Sequence, residues 1–110
     1  MLKLITLTVV LAVWASGACA HSWYSGYQNE KKELCCGGSD CAQVPDGDAR
    51  AVEGGYVVER LPVGFPGGAS VKLPAFIPNS RAQPGEDPAH YHLCIWNAEI
   101  KCFFVPAPGF

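Results

Sequence analysis

After residue 20 this sequence has no apolar run approaching the roughly 20 residues that a membrane-spanning helix needs. It also has no basic cluster: Lys31-Lys32 is the only adjacent pair of cations among scattered charges. A nucleic-acid or anionic-membrane footprint is thereby excluded. Internal repeats and low-complexity tracts are absent. Nucleophilic catalysis finds no support either. Ser22, Ser25, Ser39, Ser70 and Ser80 lack a nucleophile-elbow setting, and Cys36 has no identifiable base nearby in sequence. Asp40, Asp46 and Asp48 around Gly47 miss the spacing of a calcium loop and read as turn and capping residues. His90-x-His92 misses the His-x₃₋₅-His spacing of structural zinc sites.

What is there begins with an export signal. Met1-Leu2-Lys3 supplies one positive charge, Leu4 to Ala15 is apolar apart from Thr6 and Thr8, and Ser16 to Ala20 is rich in small residues. Ala18-x-Ala20 places a signal-peptidase cut before His21, giving a signal peptide over 1–20 and one domain over 21–110. Two alternatives compete: an uncleaved anchor, for which the apolar run is too short, and lipidation at Cys19 after Ser16-Gly17-Ala18.

The remaining 90 residues carry seven Lys/Arg and ten Asp/Glu. A domain of this size builds a marginal core. Five cysteines follow the expected cut: Cys35, Cys36, Cys41, Cys94 and Cys102. In an oxidising compartment such cysteines supplement the core as disulfides. An odd count leaves at least one unpaired, and the pairing of Cys35, Cys36 and Cys41 stays open.

Nine prolines and twelve glycines favour turns over helix, so the expected fold is mostly β: a small disulfide-stabilised sheet with little helix beyond the signal peptide. Tyr56–Arg60 reads as a strand, and 71–73 and 76–77 as short edge strands beside Pro74 and Pro78. Residues 49–53 suggest one helical turn, and 79–88 a mobile loop. The C-terminal stretch predicts a β-hairpin, His90–Trp96 against Ile100–Val105. A turn centred on Ala98 places Cys94 opposite Cys102 and Leu93 opposite Phe103, which suits a Cys94–Cys102 bridge. A two-residue Asn97-Ala98 turn shifts that register and separates the cysteines.

Strand alternation places His90, His92, Cys94 and Trp96 on one face. Two histidines at i and i+2 can converge on a metal ion. An amino-terminal His21 would add its α-amine and imidazole, a nitrogen set suited to Cu(II). This resembles the histidine brace of copper monooxygenases and copper carriers in that one residue and its position. Copper held by His21 with His90 or His92 is therefore an alternative function.

Across most of 21–110, the run His21-Ser22-Trp23-Tyr24, Cys35-Cys36, Asp40-Cys41, Gly54-Gly55-Tyr56, His92-x-Cys94, Cys102-Phe103-Phe104 and Pro106 resembles small exported proteins of Alphaproteobacteria. The resemblance implies a Gram-negative periplasmic or secreted location and carries no activity with it. The leading expectation is a non-enzymatic exported binding domain. Its ligand would be a protein or a cell-envelope polymer, met by exposed aromatics near Trp23 and Tyr24.

Overall fold

The C-terminal hairpin organises the chain, and a single extra residue sets its register. In the computed structural model, which describes residues 23–36, 40–62 and 70–106, strands β6 (His92–Trp96) and β7 (Glu99–Val105) pair antiparallel. The turn is the two-residue one: Trp96 faces Glu99, and Asn97 and Ala98 both have positive φ, 53° and 62°. That combination is a type I′ turn, whose twist matches the flanking strands. Left alone, this turn would place Cys94 opposite Lys101. A β-bulge skips Lys101 instead, so Ile95 faces Ile100 while Cys94 faces Cys102 and Leu93 faces Phe103. Both sequence expectations therefore hold in part: the shorter turn is used, and the bulge restores the cysteine alignment.

Five further strands surround this hairpin: β1 (Asp40–Gln43), β2 (Ala49–Val52), β3 (Gly55–Val58), β4 (Ala75–Pro78) and β5 (Ala82–Pro84). They form a four-stranded sheet in the order β1-β6-β7-β5 and a three-stranded sheet in the order β2-β3-β4. All pairings are antiparallel except β5 with β7. Among the described residues no helix reaches seven residues; Trp23–Gly26 and Asn79–Arg81 are single 3₁₀ turns. The fold is thus the mostly β, single-domain, disulfide-stabilised architecture the composition implies.

Several local expectations are corrected. Residues 49–53 make no helical turn: Ala49–Val52 is β2, paired residue for residue with β3. Pairing overrides a weak local preference there, and Gly54, at φ 81°, provides the reversal. Gly55 tolerates no side chain, because a Cβ would collide with the Ile77 carbonyl on β4. Residues 71–73 are not a strand, whereas Phe76-Ile77 lies in β4, an edge strand that accommodates Pro78. The polar stretch 79–88 is structured, with a 3₁₀ turn followed by β5 along the far edge of β7.

The four-stranded sheet is covered on both faces. One face sends Val44, Leu93, Ile95, Ile100 and Phe103 against Ala49, Val58 and Ile77 of the three-stranded sheet, forming the main core. The other face sends Cys41, Cys94, Cys102 and Phe104 against Tyr24 and Cys35, with Trp23, Tyr27 and Cys36 packed alongside. The N-terminal segment is therefore a third layer.

Disulfides fasten that layer. Cys94 stands between register partners on both sides, Cys41 on β1 and Cys102 on β7. The expected Cys94–Cys102 bridge does not form. Cys94 bonds Cys41 across β1 and β6, with Cα atoms 4.0 Å apart, and Cys102 is left to reach Cys35 in the covering segment, at 5.7 Å. Opposition in register permits a bridge without requiring one when a second partner is equally near. The expectation of an unpaired thiol fails among the described residues as well, since none of their cysteines is free. Cys36 is disulfide-bonded too.

Two tests follow from this architecture. Ala98→Gly should raise stability by about 0.5–1 kcal/mol, because glycine relieves the left-handed backbone at more benefit than its entropy costs; thermal unfolding reads it, and a lower midpoint contradicts the turn assignment. Replacing Cys35 and Cys102 together by alanine should cost about 3 kcal/mol, the chain-entropy value for a loop of about 15 residues, because the nested Cys41–Cys94 bridge already shortens the closure to 35–41 and 94–102. Equilibrium urea unfolding measures the loss.

Candidate functional site

Residues 23–28 present aromatic rings to the sheet because the 3₁₀ turn Trp23–Gly26 and the bridge between Gln28 and Leu34 fold the segment back on itself. Trp23 lies edge-on to His92, with ring centroids 5.1 Å apart, and to Phe104, at 4.8 Å. The space for its ring exists because residue 85 is glycine: a Cβ there would sit 3.0 Å from the indole and 3.1 Å from the Phe104 side chain. Tyr24 is only 7% exposed. The aromatics expected at the surface near Trp23 and Tyr24 are therefore corrected to packing residues, drawn inward by the apolar face of β6 and β7.

His92 is the buried polar residue of this layer. Its Nε2 lies 2.8 Å from Asp87 Oδ2, and its Nδ1 lies 2.5 Å from the Tyr24 hydroxyl. A carboxylate only accepts, so Nε2 carries the proton and donates. In the neutral ring Nδ1 then accepts from the Tyr24 hydroxyl. His90 donates from Nδ1 to the same Asp87 oxygen at 2.9 Å, and its Nε2 comes within 3.7 Å of Asp46. The Ala89 amide donates to the other Asp87 oxygen at 2.9 Å. Loop 85–90 thus folds around one carboxylate that ties both histidines together.

These contacts shift the groups they join. The His92 hydrogen bond, followed by the Ala89 amide and the His90 contacts, holds the Asp87 carboxyl well below its ordinary 3.8. Burial, with the Asp87 charge in support, pushes the Tyr24 phenol up to about 12. Tyr24–His92–Asp87 has the connectivity of a nucleophile–base–orienter triad. A buried phenol with a raised pKa is the reverse of an activated nucleophile. The chain of bonds is a structural clamp joining the N-terminal layer to β6.

The metal expectation splits in two. His90 and His92 do come together, but each aims a ring nitrogen at Asp87, and among the described residues no group of three His, Cys, Asp or Glu side chains is placed to hold a metal ion. His21 lies outside the described residues, as do the expected signal peptide 1–20, its cleavage point and Cys19. Asp87 was missed by the sequence reading; the signal available was its position three and five residues before two histidines.

A separate feature escaped notice altogether. An open groove of about 900 Å³ runs beside the hairpin turn, with Phe76 and Trp96 among its walls. These rings are 54% and 50% exposed, whereas Tyr24 is buried and Trp23 partly buried against the sheet. Lys101, the bulged residue, sets its ammonium 5.3 Å from the Trp96 ring centroid. Arg81 anchors the groove by donating to the Ile100 carbonyl at 2.6 Å and to Glu30 at 3.0 Å. Asn29 spans its other side, donating to Glu33 at 3.0 Å and to the Lys101 carbonyl at 3.3 Å. The charged lining is mixed in sign, with Lys31, Lys72, Arg81 and Lys101 interspersed with Glu30, Glu33 and Glu99.

Comparison of the chain with protein-family models, with curated proteins and with solved structures yields no match in any of the three.

Tyr24→Phe should cost about 1–2 kcal/mol, since it leaves the buried His92 nitrogen without its donor. The Asp87 contribution has a definite sign. Its folded pKa is depressed, so the stability it confers is complete above pH 3.8 and disappears as pH falls from there through the folded value. Asp87→Asn should therefore be less stable than the parent at pH 6, and the gap should close on acidification below 3.8; urea unfolding across that range checks it.

Proposed function

We propose that this chain is a small exported, non-enzymatic binding domain, periplasmic or secreted, whose ligand is an extended, uncharged glycan of the cell envelope. The observation that carries the reading is the pair of half-exposed rings, Trp96 and Phe76, in one open groove. Rings left half in water at a concave surface are unusual unless something covers them. The C–H faces of sugar rings stack on aromatics, and Asn97 and the N–H groups that Arg81 does not spend on Ile100 and Glu30 offer hydroxyl partners on the same walls. Charge selects among ligands. Glu30 pairs with Arg81, and the other charges on the walls, Lys31, Lys72 and Lys101 against Glu33 and Glu99, nearly balance, so the groove presents no strong field of either sign to a polyanion or a polycation. The disulfides are compatible with an oxidising, exported location, in keeping with this reading.

The copper alternative draws on the approach of His90 and His92, but would require both to turn from Asp87 and His21 to be the first residue of the mature chain. The glycan reading needs no such rearrangement.

The test is calorimetric titration with an N-acetylglucosamine hexamer as a neutral glycan probe. Saturable binding is expected, weakened at least tenfold by Trp96→Ala, about 1.4 kcal/mol, and unchanged by Arg50→Ala at the surface ion pair with Glu59. Absence of saturable binding, or equal binding by Trp96→Ala, rejects the assignment.

A further inference from the structure

Four sulfurs converge on the second face of the four-stranded sheet. Cys35 bonds Cys102, and Cys41 bonds Cys94, all within one buried cluster. Cys94 is also the direct register partner of Cys102. It stands in that same relation to Cys41, to which it is bonded. On the other side the Cys41 sulfur lies 3.6 Å from the Cys35 carbonyl oxygen, which closes a ring of neighbours. Two pairings are therefore within reach of one set of sulfurs, and the chain uses one of them.

We infer that this cluster is a disulfide-exchange site for dithiol reductants. On gaining two electrons, the bridge that survives moves to Cys94–Cys102 and leaves Cys35 and Cys41 as thiols.

Chain connectivity favours that outcome. The observed bridges join positions 67 and 53 apart in sequence, and each relies on another segment staying docked. Cys94 and Cys102 belong to one hairpin, whose turn and bulge keep them opposite each other whatever β1 or the N-terminal layer does. The shorter closure also costs less chain entropy.

Burial sets the entry point. Cys41 is on β1, at the edge of the sheet, and is 5% exposed, whereas Cys35, Cys94 and Cys102 are at 0–1%. A thiolate of the reductant bonds the Cys41 sulfur, and Cys94 leaves as a thiolate. Cys94 then bonds Cys102, and Cys35 leaves. The second thiolate of the reductant attacks its own partner in the mixed disulfide, closing into a disulfide and releasing Cys41. The reductant gives up two electrons and two protons; Cys35 and Cys41 end with one proton each.

The exchange removes the tie between Cys35 and β7. Restraint of that layer on the sheet then shifts towards the Tyr24–His92–Asp87 contacts.

The experiment treats the exported protein with sub-stoichiometric dithiothreitol, quenches with iodoacetamide and maps tryptic peptides without further reduction. Trypsin separates Cys94, in peptide 82–101, from Cys102, in peptide 102–110. Among molecules with two new thiols at these four positions, most should show those peptides linked and Cys35 and Cys41 alkylated. Retention of Cys41–Cys94 with Cys35 and Cys102 alkylated, or the reverse, overturns the inference. So does passage straight to four thiols, or a bridge from Cys36 to any of the four. The combined Cys35→Ser, Cys41→Ser variant should fold with a Cys94–Cys102 bridge, and free thiols at both positions in the folded variant overturn the inference too. Should that variant fail to fold, trapping in the parent protein decides alone.

Discussion

Three cysteines standing abreast on one face of a sheet constrain this structure more than any other feature. Cys41, Cys94 and Cys102 are neighbours in register across β1, β6 and β7, and each must find a partner near that face. The alignment exists because the β-bulge at Lys101 compensates for a two-residue turn. Without the bulge, every residue of β7 beyond it would change faces: Cys102 and Phe104 would point into the main core, and Phe103 would leave it. One skipped residue thus decides which surface carries sulfur and which carries the aliphatic core. The cystines then substitute for apolar area that a chain of this size cannot supply.

A sheet covered on both faces gains burial but acquires a difficulty on the second face, where an imidazole lies among aromatic rings. A buried polar group is tolerated when its hydrogen bonds are complete. His92 meets that condition with Tyr24 on one nitrogen and Asp87 on the other. The same bonds link three stretches distant in sequence: the N-terminal turn, loop 85–90 and β6. The clamp and the Cys35–Cys102 bridge therefore restrain the same layer, one by directional polar contacts and the other covalently.

What the sequence disclosed follows the range of the interactions concerned. The β class, the C-terminal hairpin and the alternation of His92 and Cys94 against Leu93 and Ile95 depend on neighbours in sequence, and they were legible. The disulfide pairing was not, because Cys94 had two opposite neighbours and only the placement of β1 reveals the second. Strand β2 was misread because its partner β3 decides its conformation, and β5 because its pairing with β7 is parallel and non-local. The histidines were visible as candidates, but their engagement with Asp87 depends on how loop 85–90 folds. Trp23 and Trp96 carry identical side chains, yet one packs over Gly85 and the other lines a groove, a distinction that only tertiary structure makes. The groove joins residues near 30, 76, 81 and 96, which no local pattern connects.

Division of labour between the faces and the hairpin end gives the functional proposal its physical setting. The rigid parts are the two cystine-linked layers; the groove hangs on their edge, shaped by the turn and by Arg81. Its geometry therefore depends on the N-terminal layer, since Asn29 and Glu30 belong to it. The most direct measurement is native-state hydrogen exchange of the Tyr27 and Cys35 amides, which donate to the Tyr24 and Tyr27 carbonyls, against amides of β6 and β7. If the N-terminal layer is integral to the fold, Tyr27 and Cys35 exchange with the same opening free energy as the central strands. Exchange orders of magnitude faster than β6 and β7 would show that the layer opens independently, and would contradict the account.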